Sequence, residues 1–241
     1  MRLNAKLSQT LILASSSPRR QELIHSLGLP YIIRASDVDE TVEGTRSPEE
    51  IVEILALRKA EAVRAMLSGT EESGGVIIGS DTIVVLRGEV LGKPADEADA
   101  FRMLQALQGT VHEVYTGLAC VDARGGSFTE AAGGSAADEM LQFGDVGKYR
   151  WLTEGTAGLP KTLLGHTVSK VTFRPMSNAE IRAYIGTGQP LDKAGAYGVQ
   201  GIGSLFIEKM EGDFYSVMGL PMNLLYHMLL QMGINPFPAA E

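Results

Sequence analysis

Short apolar runs typical of buried strands alternate along this chain with segments typical of capped helices, which restricts the fold to the α/β class. The first run covers residues 11–14; a helix begins at Pro18, and a second strand is predicted at 31–35. A long β-branched run covers 76–86, and another strand is predicted at 113–122. Because hairpin signals interrupt the alternation, we expect a mixed α/β sheet rather than a regular parallel one.

Two capping boxes mark the starts of helices. Ser47-Pro48-Glu49-Glu50 predicts a long helix to about Leu67, with proline at its first position. Ser177-Asn178-Ala179-Glu180 predicts a helix to about Ile185. Residues 96–107 also follow a helical pattern, and Pro221 predicts the start of a last helix, to about Met232.

Two hairpins are predicted from turn residues. Arg87-Gly88-Glu89 indicates a turn into a short strand at 90–91. Glu211-Gly212-Asp213 indicates a second turn, between strands at 204–209 and 215–218.

Residues 124–166 differ in character from the rest of the chain. Glycine, alanine and serine dominate several pieces of this segment, which also contains the single tryptophan, Trp151. We interpret 124–166 as a partly flexible insertion in a single domain that spans residues 1–241. A strand predicted at 168–174 would resume the domain and pair with the strand before the insertion.

Composition excludes several classes of protein. The 241 residues carry a net charge of −8, which argues against nonspecific nucleic-acid binding and against docking on an anionic membrane. A small anionic ligand in a local basic pocket remains compatible with that charge. One cysteine, Cys120, excludes an internal disulfide framework. Since no apolar run approaches the roughly 20 residues of a membrane span, and residues 1–10 lack a secretory apolar core, we expect a cytoplasmic protein.

The first candidate site follows the first strand. Ser15-Ser16-Ser17 precedes Pro18, and Arg19 and Arg20 come next, at the predicted start of a helix. Backbone N–H groups at a helix start, hydroxyls and two guanidinium groups form a natural phosphate site. The alternative is a capped helix whose arginines are solvated.

The second candidate is Asp81, within Gly79-Ser80-Asp81-Thr82 in the middle of the long apolar strand. A carboxylate there is costly unless it is paired, solvated in a cleft or bound to a cation. The alternative is an aspartate at a bulge or sheet end that bonds nearby backbone.

Further polar residues fall at constrained positions. Lys93 lies in Gly92-Lys93-Pro94 after the first hairpin, and Lys59 lies on the long helix. Asp39-Glu40 could supply oxygen ligands for a hard divalent cation. Solvated side chains are the alternative for both Lys59 and the acidic pair.

The third candidate is a glycine-rich segment at 190–203. Its glycines permit close backbone approach to a ligand, and Asp192, Lys193 and Gln200 offer polar groups. Gln200 carries a donor and an acceptor, which suits the edge of a base. A structural loop is the alternative.

Taken together, these motifs resemble the Maf family of nucleoside triphosphate pyrophosphatases. The matching segments are Leu-Ala-Ser-x-Ser-Pro-Arg-Arg at 13–20, the acidic pair ending at Glu40, Ala-x-x-Lys-Ala at 56–60, Gly-x-Asp-Thr at 79–82, Gly-Lys-Pro at 92–94, Gly-x-x-His-x-Val-x-Thr at 109–116, Asp-Lys-Ala-Gly-Ala-Tyr-Gly-x-Gln-Gly at 192–201 and Gly-Asp-x-Tyr-x-Val-x-Gly-Leu-Pro at 212–221. They occur in order along the chain. Two departures are Ser80, where many members have alanine, and the segment 124–166, which has no counterpart in short members.

The resemblance implies a mixed, twisted sheet flanked by helices around an active-site cleft, and a homodimer. It also implies hydrolysis of nucleoside triphosphates to monophosphate and pyrophosphate with a divalent cation, Mg²⁺ or Mn²⁺. Asp81 would be the proton acceptor, and Glu40 and Asp81 would bind the metal. The substrate-binding residues would be Ser15, Ser17, Arg19, Arg20, Lys59, Thr82, Lys93, Asp192, Lys193 and Gln200.

Within the family, Arg19, Thr82 and Gln200 resemble the branch that acts on dTTP and UTP, and this branch is the function expected here, with modified pyrimidine nucleotides as further substrates. One alternative is a nucleotide-binding regulator of cell division with little turnover. Another is a pyrophosphatase for 7-methyl-GTP or purine triphosphates.

Overall fold

A computed structural model describes residues 10–70, 74–124, 140–144, 147–154 and 161–237. Nine strands in this part of the chain form one sheet. They are β1 (Leu11–Leu13), β2 (Tyr31–Ile33), β3 (Val76–Leu86), β4 (Glu89–Leu91), β5 (Val111–Asp122), β6 (Leu141–Phe143), β7 (Gly147–Glu154), β8 (Lys161–Phe173) and β9 (Ile207–Glu211).

The sheet is mixed, as the sequence predicts. Its main order is β2-β1-β3-β5-β8-β7-β6, while β4 pairs with β3 and β9 pairs with β8. Strand β1 runs parallel to β2 and β3, and every other pairing among the described strands is antiparallel. The parallel strands therefore end at one edge, where open α/β sheets bind their ligands.

Six α-helices surround this sheet in the described ranges: α1 (Pro18–His25), α2 (Pro48–Leu67), α3 (Glu97–Leu107), α4 (Asn178–Ile185), α5 (Phe214–Met218) and α6 (Met222–Gln231). Two short 3₁₀ helices cover Ala194–Ala196 and Gly201–Phe206. Both predicted capping boxes form, at Ser47 and Ser177, and the Asp96 carboxylate caps α3. Reciprocal bonds at these starts satisfy N–H groups that the helices leave unpaired.

The core lies on both faces of the sheet, because alternate residues of a strand point in opposite directions. Ile12 and Ile77 pack with α2 on one face. Their neighbours Leu11 and Ile78 belong to the larger cluster on the other face, which includes buried residues of α3, α4 and α6. None of the helices described is long and apolar enough to cross a membrane.

Helix α2 lies unusually close to the sheet at two glycines. A Cβ atom on Gly79 of β3 would come within 2.1 Å of the Ala56 carbonyl oxygen. A Cβ atom on Gly117 of β5 would come within 2.1 Å of the Val52 carbonyl oxygen. Any side chain at these positions would push the helix away from the strands.

The predicted hairpin near residue 212 is wrong in its second half. Residues 215–218 belong to helix α5, and Gly201–Phe206 is a 3₁₀ helix that precedes β9. The Asp213 carboxylate accepts hydrogen bonds from the N–H groups of Tyr215 and Ser216 and so caps α5. Strand β9 pairs with β8 instead.

The strand predicted at 168–174 is β8, which begins earlier, at Lys161. Its first residues therefore belong to the segment interpreted as an insertion. Residues 147–154 of that segment form β7, which pairs with β8. Thr162 and His166 of β8 are buried. Residues 125–139, 145–146 and 155–160 lie outside the described residues. The interpretation of 124–166 as an insertion in a single domain stays a prediction.

A buried ionic cluster fastens α2 to this part of the sheet. Glu53 of α2 is 5% exposed; its carboxylate accepts a hydrogen bond from His166 Nδ1 at 2.7 Å and pairs with Arg150 at 2.8 Å. Burial raises the pKa of Glu53, but the hydrogen bond from His166 and the charges of Arg150 and His166 outweigh burial. The pKa of Glu53 therefore lies below its ordinary value.

Glu53→Gln is expected to lower the free energy of unfolding at pH 7 by about 2 kcal/mol, since it leaves Arg150 without its buried partner. A carboxyl group with a lowered pKa stabilises the fold above its ordinary pKa, and this contribution disappears as pH falls through the lowered value. The difference between variant and wild type should thus shrink on acidification. Urea unfolding at several pH values measures it.

The matched control is Glu61→Gln, on the same helix. Glu61 pairs with Arg64 at the surface, so its loss should change the free energy of unfolding by less than about 0.5 kcal/mol. Equal effects of the two substitutions would show that the Glu53 cluster does not hold α2.

Candidate active site

A cavity of about 570 Å³ opens at the edge where β1 and β2 end. Its walls come from the loop after β1 and the start of α1, the loop after β2, helix α2, strands β3 and β4, and the segments near residues 192–199 and 217–219. The predicted site residues that line it are Ser15, Ser17, Arg19, Arg20, Glu40, Lys59, Asp81, Thr82, Lys93, Asp192 and Lys193.

Strand β3 presents its polar side chains on two opposite faces, one toward Lys59 and the other toward Arg20. Because successive side chains alternate, Gly79 and Asp81 point to one face, and Ser80 and Thr82 point to the other. The first pair faces α2, as the close approach at Gly79 requires. This alternation places Asp81 beside Lys59, and it places Thr82 beside Arg20.

Lys59 joins two carboxylates. Its Nζ lies 2.6 Å from Asp81 Oδ1 and 2.7 Å from Glu40 Oε1. The side chains of Lys59 and Asp81 are only 12% and 10% exposed, whereas that of Glu40 is 50% exposed. The described residues give Asp81 Oδ2 no hydrogen-bond partner. This oxygen is therefore available to accept a proton from a molecule in the cleft.

The electrostatics of Glu40 reflect this arrangement. Its partial burial raises the pKa, but the hydrogen bond from Lys59 and the positive charges of Lys59, Lys93 and Arg20 lower it further than burial raises it. The pKa of Glu40 therefore lies below its ordinary value, and its carboxylate is charged at neutral pH.

Arg20 is held by three protein groups. Its Nε donates to the Gly219 carbonyl at 2.7 Å, one terminal nitrogen donates to Ser15 Oγ at 3.4 Å, and the other donates to Thr82 Oγ1 at 3.2 Å. A guanidinium group has five N–H donors, so two remain for a ligand. Burial lowers the pKa of Arg20, an effect that the charge of Asp81 opposes.

The start of α1 is as predicted, with Ser17 at the cap position and Pro18 next. The Ser17 hydroxyl, however, makes no capping bond; instead, the Ser17 N–H donates to Ser15 Oγ at 3.2 Å. The hydroxyl thus leaves the helix end to a ligand rather than closing it.

The glycine-rich segment contributes differently from expectation. Lys193 Nζ donates to the Gln189 carbonyl at 2.6 Å and pairs with the Asp192 carboxylate, so its charge is used within its own loop. Gln200 is not among the residues that line the cavity. It is the residue before the 3₁₀ helix Gly201–Phe206. The prediction that Gln200 contacts a base stays a prediction.

One wall of the cavity is apolar. It includes Val84, Val90, Val114, Tyr197, Val199, Val217 and Met218. Behind it, the Tyr197 hydroxyl lies 2.8 Å from His112 Nε2, and burial lowers the pKa of His112 to about 4. His112 is therefore neutral at physiological pH and has a structural role.

Sequence reasoning missed several residues. Gly219 supplies the carbonyl that holds Arg20, and Ser80 Oγ lies 2.9 Å from the same carbonyl oxygen. Ser36 also lines the cavity; its buried Oγ has no partner among the described residues. Arg58 binds the backbone of the loop that carries Glu40. The only signal for Gly219 was its place in a family motif.

The donor set fits a divalent cation that arrives with a phosphorylated ligand. Glu40 and Asp81 present hard oxygen atoms close to one point, next to Lys59. Mg²⁺ is typically bound by one or two carboxylates together with phosphate oxygens rather than by an all-protein cage. In the described ranges no three His, Cys, Asp or Glu side chains come together as a metal site.

Fold and cleft together define an α/β protein whose pocket combines a group of cationic side chains with an apolar wall. The chain belongs to the Maf family: the family described as Maf-like protein matches residues 10–148 and 151–232.

Relatives of similar length carry one name, dTTP/UTP pyrophosphatase. The protein from Symbiobacterium thermophilum is 43% identical over 95% of this chain and 97% of its own length. The one from Pelotomaculum thermopropionicum is 42% identical over 93% of this chain and 97% of its own. A protein from Bacillus cereus is 40% identical over 93% of this chain and 96% of its own.

Lys59→Met is expected to raise the pKa of Glu40, because it removes the hydrogen bond and the nearest charge that lower it and leaves the effect of burial. Carbon-13 NMR titration of the glutamate carboxyl groups measures the change. Lys209→Met is the control, since Lys209 pairs with Glu211 at the surface. An unchanged pKa of Glu40 in Lys59→Met would contradict the observed pairing.

Proposed function

We propose that this protein hydrolyses dTTP, UTP and modified pyrimidine nucleoside triphosphates between the α- and β-phosphates, releasing a nucleoside monophosphate and pyrophosphate. The observation that carries the proposal is Asp81, a carboxylate held by Lys59 beside a partly unsatisfied Arg20 in one cleft. The shared name of the full-length relatives supports the same reaction.

Asp81 acts as the general base in this proposal. Lys59 fixes one oxygen of its carboxylate and leaves Oδ2 to take a proton from the attacking water. A binding protein with little turnover has no need of a general base. The arrangement therefore favours an enzyme over a nucleotide-binding regulator of cell division.

The phosphates bind to the opposite side of the cleft. The two remaining N–H groups of Arg20 match two phosphate oxygens, and the N-terminus of α1 with Ser15 and Ser17 adds donors. Arg19, Lys93 and the Asp192–Lys193 loop complete the lining. The charges of Arg19, Arg20 and Lys93 neutralise the charge that the leaving pyrophosphate develops, which lowers the barrier.

Glu40 and Asp81 would hold the divalent cation, Mg²⁺ or Mn²⁺, together with phosphate oxygens. When bound, the cation stabilises negative charge on the triphosphate. Lys59 holds both carboxylates in place before the cation and substrate arrive.

The nucleobase of the substrate lies against the apolar wall. The residues proposed to select this nucleobase act in different ways. Thr82 Oγ1 is bonded to Arg20 and Thr116, so Thr82 acts through Arg20. Gln200 would have to move with the glycine-rich segment to reach the nucleobase. Arg19 lines the cavity directly. We also propose that the protein is a homodimer, as the resemblance implies, and that it is cytoplasmic, as the composition indicates.

Asp81→Asn should reduce kcat at least 100-fold while leaving nucleotide binding within a few-fold, because the amide has the same shape but cannot accept the proton. Pyrophosphate release and the affinity for a non-hydrolysable UTP analogue measure the two effects. Asp96→Asn is the matched control, since asparagine also caps helices and Asp96 lies away from the cleft. A near wild-type kcat for Asp81→Asn would remove Asp81 from the role of base.

The wild-type kcat/KM should be higher for dTTP and UTP than for dATP, dGTP and 7-methyl-GTP. A site that hydrogen-bonds a base edge discriminates by donor pattern, and glutamate at position 200 can only accept when ionised. Gln200→Glu should therefore erode the preference. Equal kcat/KM values for UTP and 7-methyl-GTP on the wild type would support the alternative substrate class. An unaltered preference in Gln200→Glu would mean that the segment does not close on the base.

A further inference from the structure

The loop between β2 and α2 carries Glu40 but has little packing to hold it. Most of its residues from 35 to 46 are exposed, and none of them belongs to a helix or strand. Its local order includes one short turn, in which the Thr41 N–H donates to the Asp39 carboxylate at 2.8 Å. Segments with few buried apolar contacts open at low free-energy cost. Another group must therefore keep Glu40 near the cleft.

The hydrogen bonds of Arg58, on α2, identify it as the group that holds this loop. One of its terminal nitrogens donates to the backbone carbonyls of Asp39 and Thr41, the latter at 3.0 Å. These two carbonyls flank Glu40 in sequence. Hydrogen bonds from a charged donor are stronger than neutral ones, so they suit an exposed loop.

The next residue of the helix, Lys59, binds the Glu40 side chain itself. Adjacent residues on an α-helix project about 100° apart, so the two cations approach the loop from different sides. Among the described residues, the ion pair of Glu40 is with Lys59 alone, and Arg58 touches only backbone. Lys59 thus binds the carboxylate of Glu40, and Arg58 binds the main chain on either side of it.

We propose that Arg58 is a positioning residue: by clamping the carbonyls on both sides of Glu40, it holds the Glu40 carboxylate against Lys59 and Asp81 in the cleft. The proposal rests on the proposed function, because it assigns Glu40 to the divalent cation that the reaction uses. Arg58 itself touches neither substrate nor cation. Its effect on turnover passes through Glu40.

Arg58→Met tests the clamp directly in the protein without nucleotide or metal. Loss of both charge-assisted bonds should raise the hydrogen-exchange rate of the Thr41 amide about tenfold, while amides of β3 and β5 stay unchanged. Arg58→Lys should give an intermediate rate, since an ammonium group can serve one carbonyl. Arg64→Met is the matched control: Arg64 lies on the same helix and pairs only with Glu61, as far as the described residues go. An unchanged Thr41 rate in Arg58→Met would overturn the proposal.

Activity supplies the second readout. In Arg58→Met the Mn²⁺ concentration for half-maximal UTP hydrolysis should rise about tenfold, with the melting temperature within a few degrees of wild type. In a Glu40→Gln background, Arg58→Met should add nothing, because the group it positions is already gone. Additive losses in the double variant would overturn the positioning role. Absence of UTP hydrolysis in the wild type would contradict the proposed function, and the exchange measurement would still decide on the clamp.

Discussion

The contact between α2 and the sheet determines where the charges of the cleft meet. Gly79 and Gly117 leave no side chain between helix and strands, so the backbone of α2 rests on β3 and β5. Asp81 follows Gly79 by one full strand period and points toward the same helix, one turn of which carries Lys59. A bulkier residue at position 79 would push α2 away from β3 and so separate Lys59 from Asp81.

Strand β3 separates the carboxylates of the cleft from Arg20. The α2 side of β3 holds the carboxylates of Asp81 and Glu40 around Lys59. The opposite side turns Thr82 toward Arg20. A protein with a net charge of −8 can therefore attract a polyanion, because the attraction is local. Asp81, the proposed proton acceptor, and Arg20, the proposed phosphate ligand, thus stay on different sides of the strand.

Much of this fold could be predicted from local signals. Capping boxes at Ser47 and Ser177 mark helix starts because the bonds they predict lie within one turn. Helix α5 was missed: its cap, Asp213, follows a glycine that equally suits a hairpin, and only the pairing of β9 with β8 decides between them. The contacts of Arg20 with Gly219 and of Arg58 with the Glu40 loop join distant parts of the chain, so no local pattern encodes them.

The bond between Arg20 and the Gly219 carbonyl spans 199 positions of sequence. During synthesis, strand β1 and helix α1 leave the ribosome early, and their neighbours β2 and β3 follow soon after. The arginine beside them has no carbonyl to orient it until the turn after α5 has also emerged. A truncated or unfinished polypeptide can thus contain Arg20, Lys59 and Asp81 and still lack the carbonyl that orients the arginine. The proposed phosphate site would be complete only once the chain has been synthesised through Gly219.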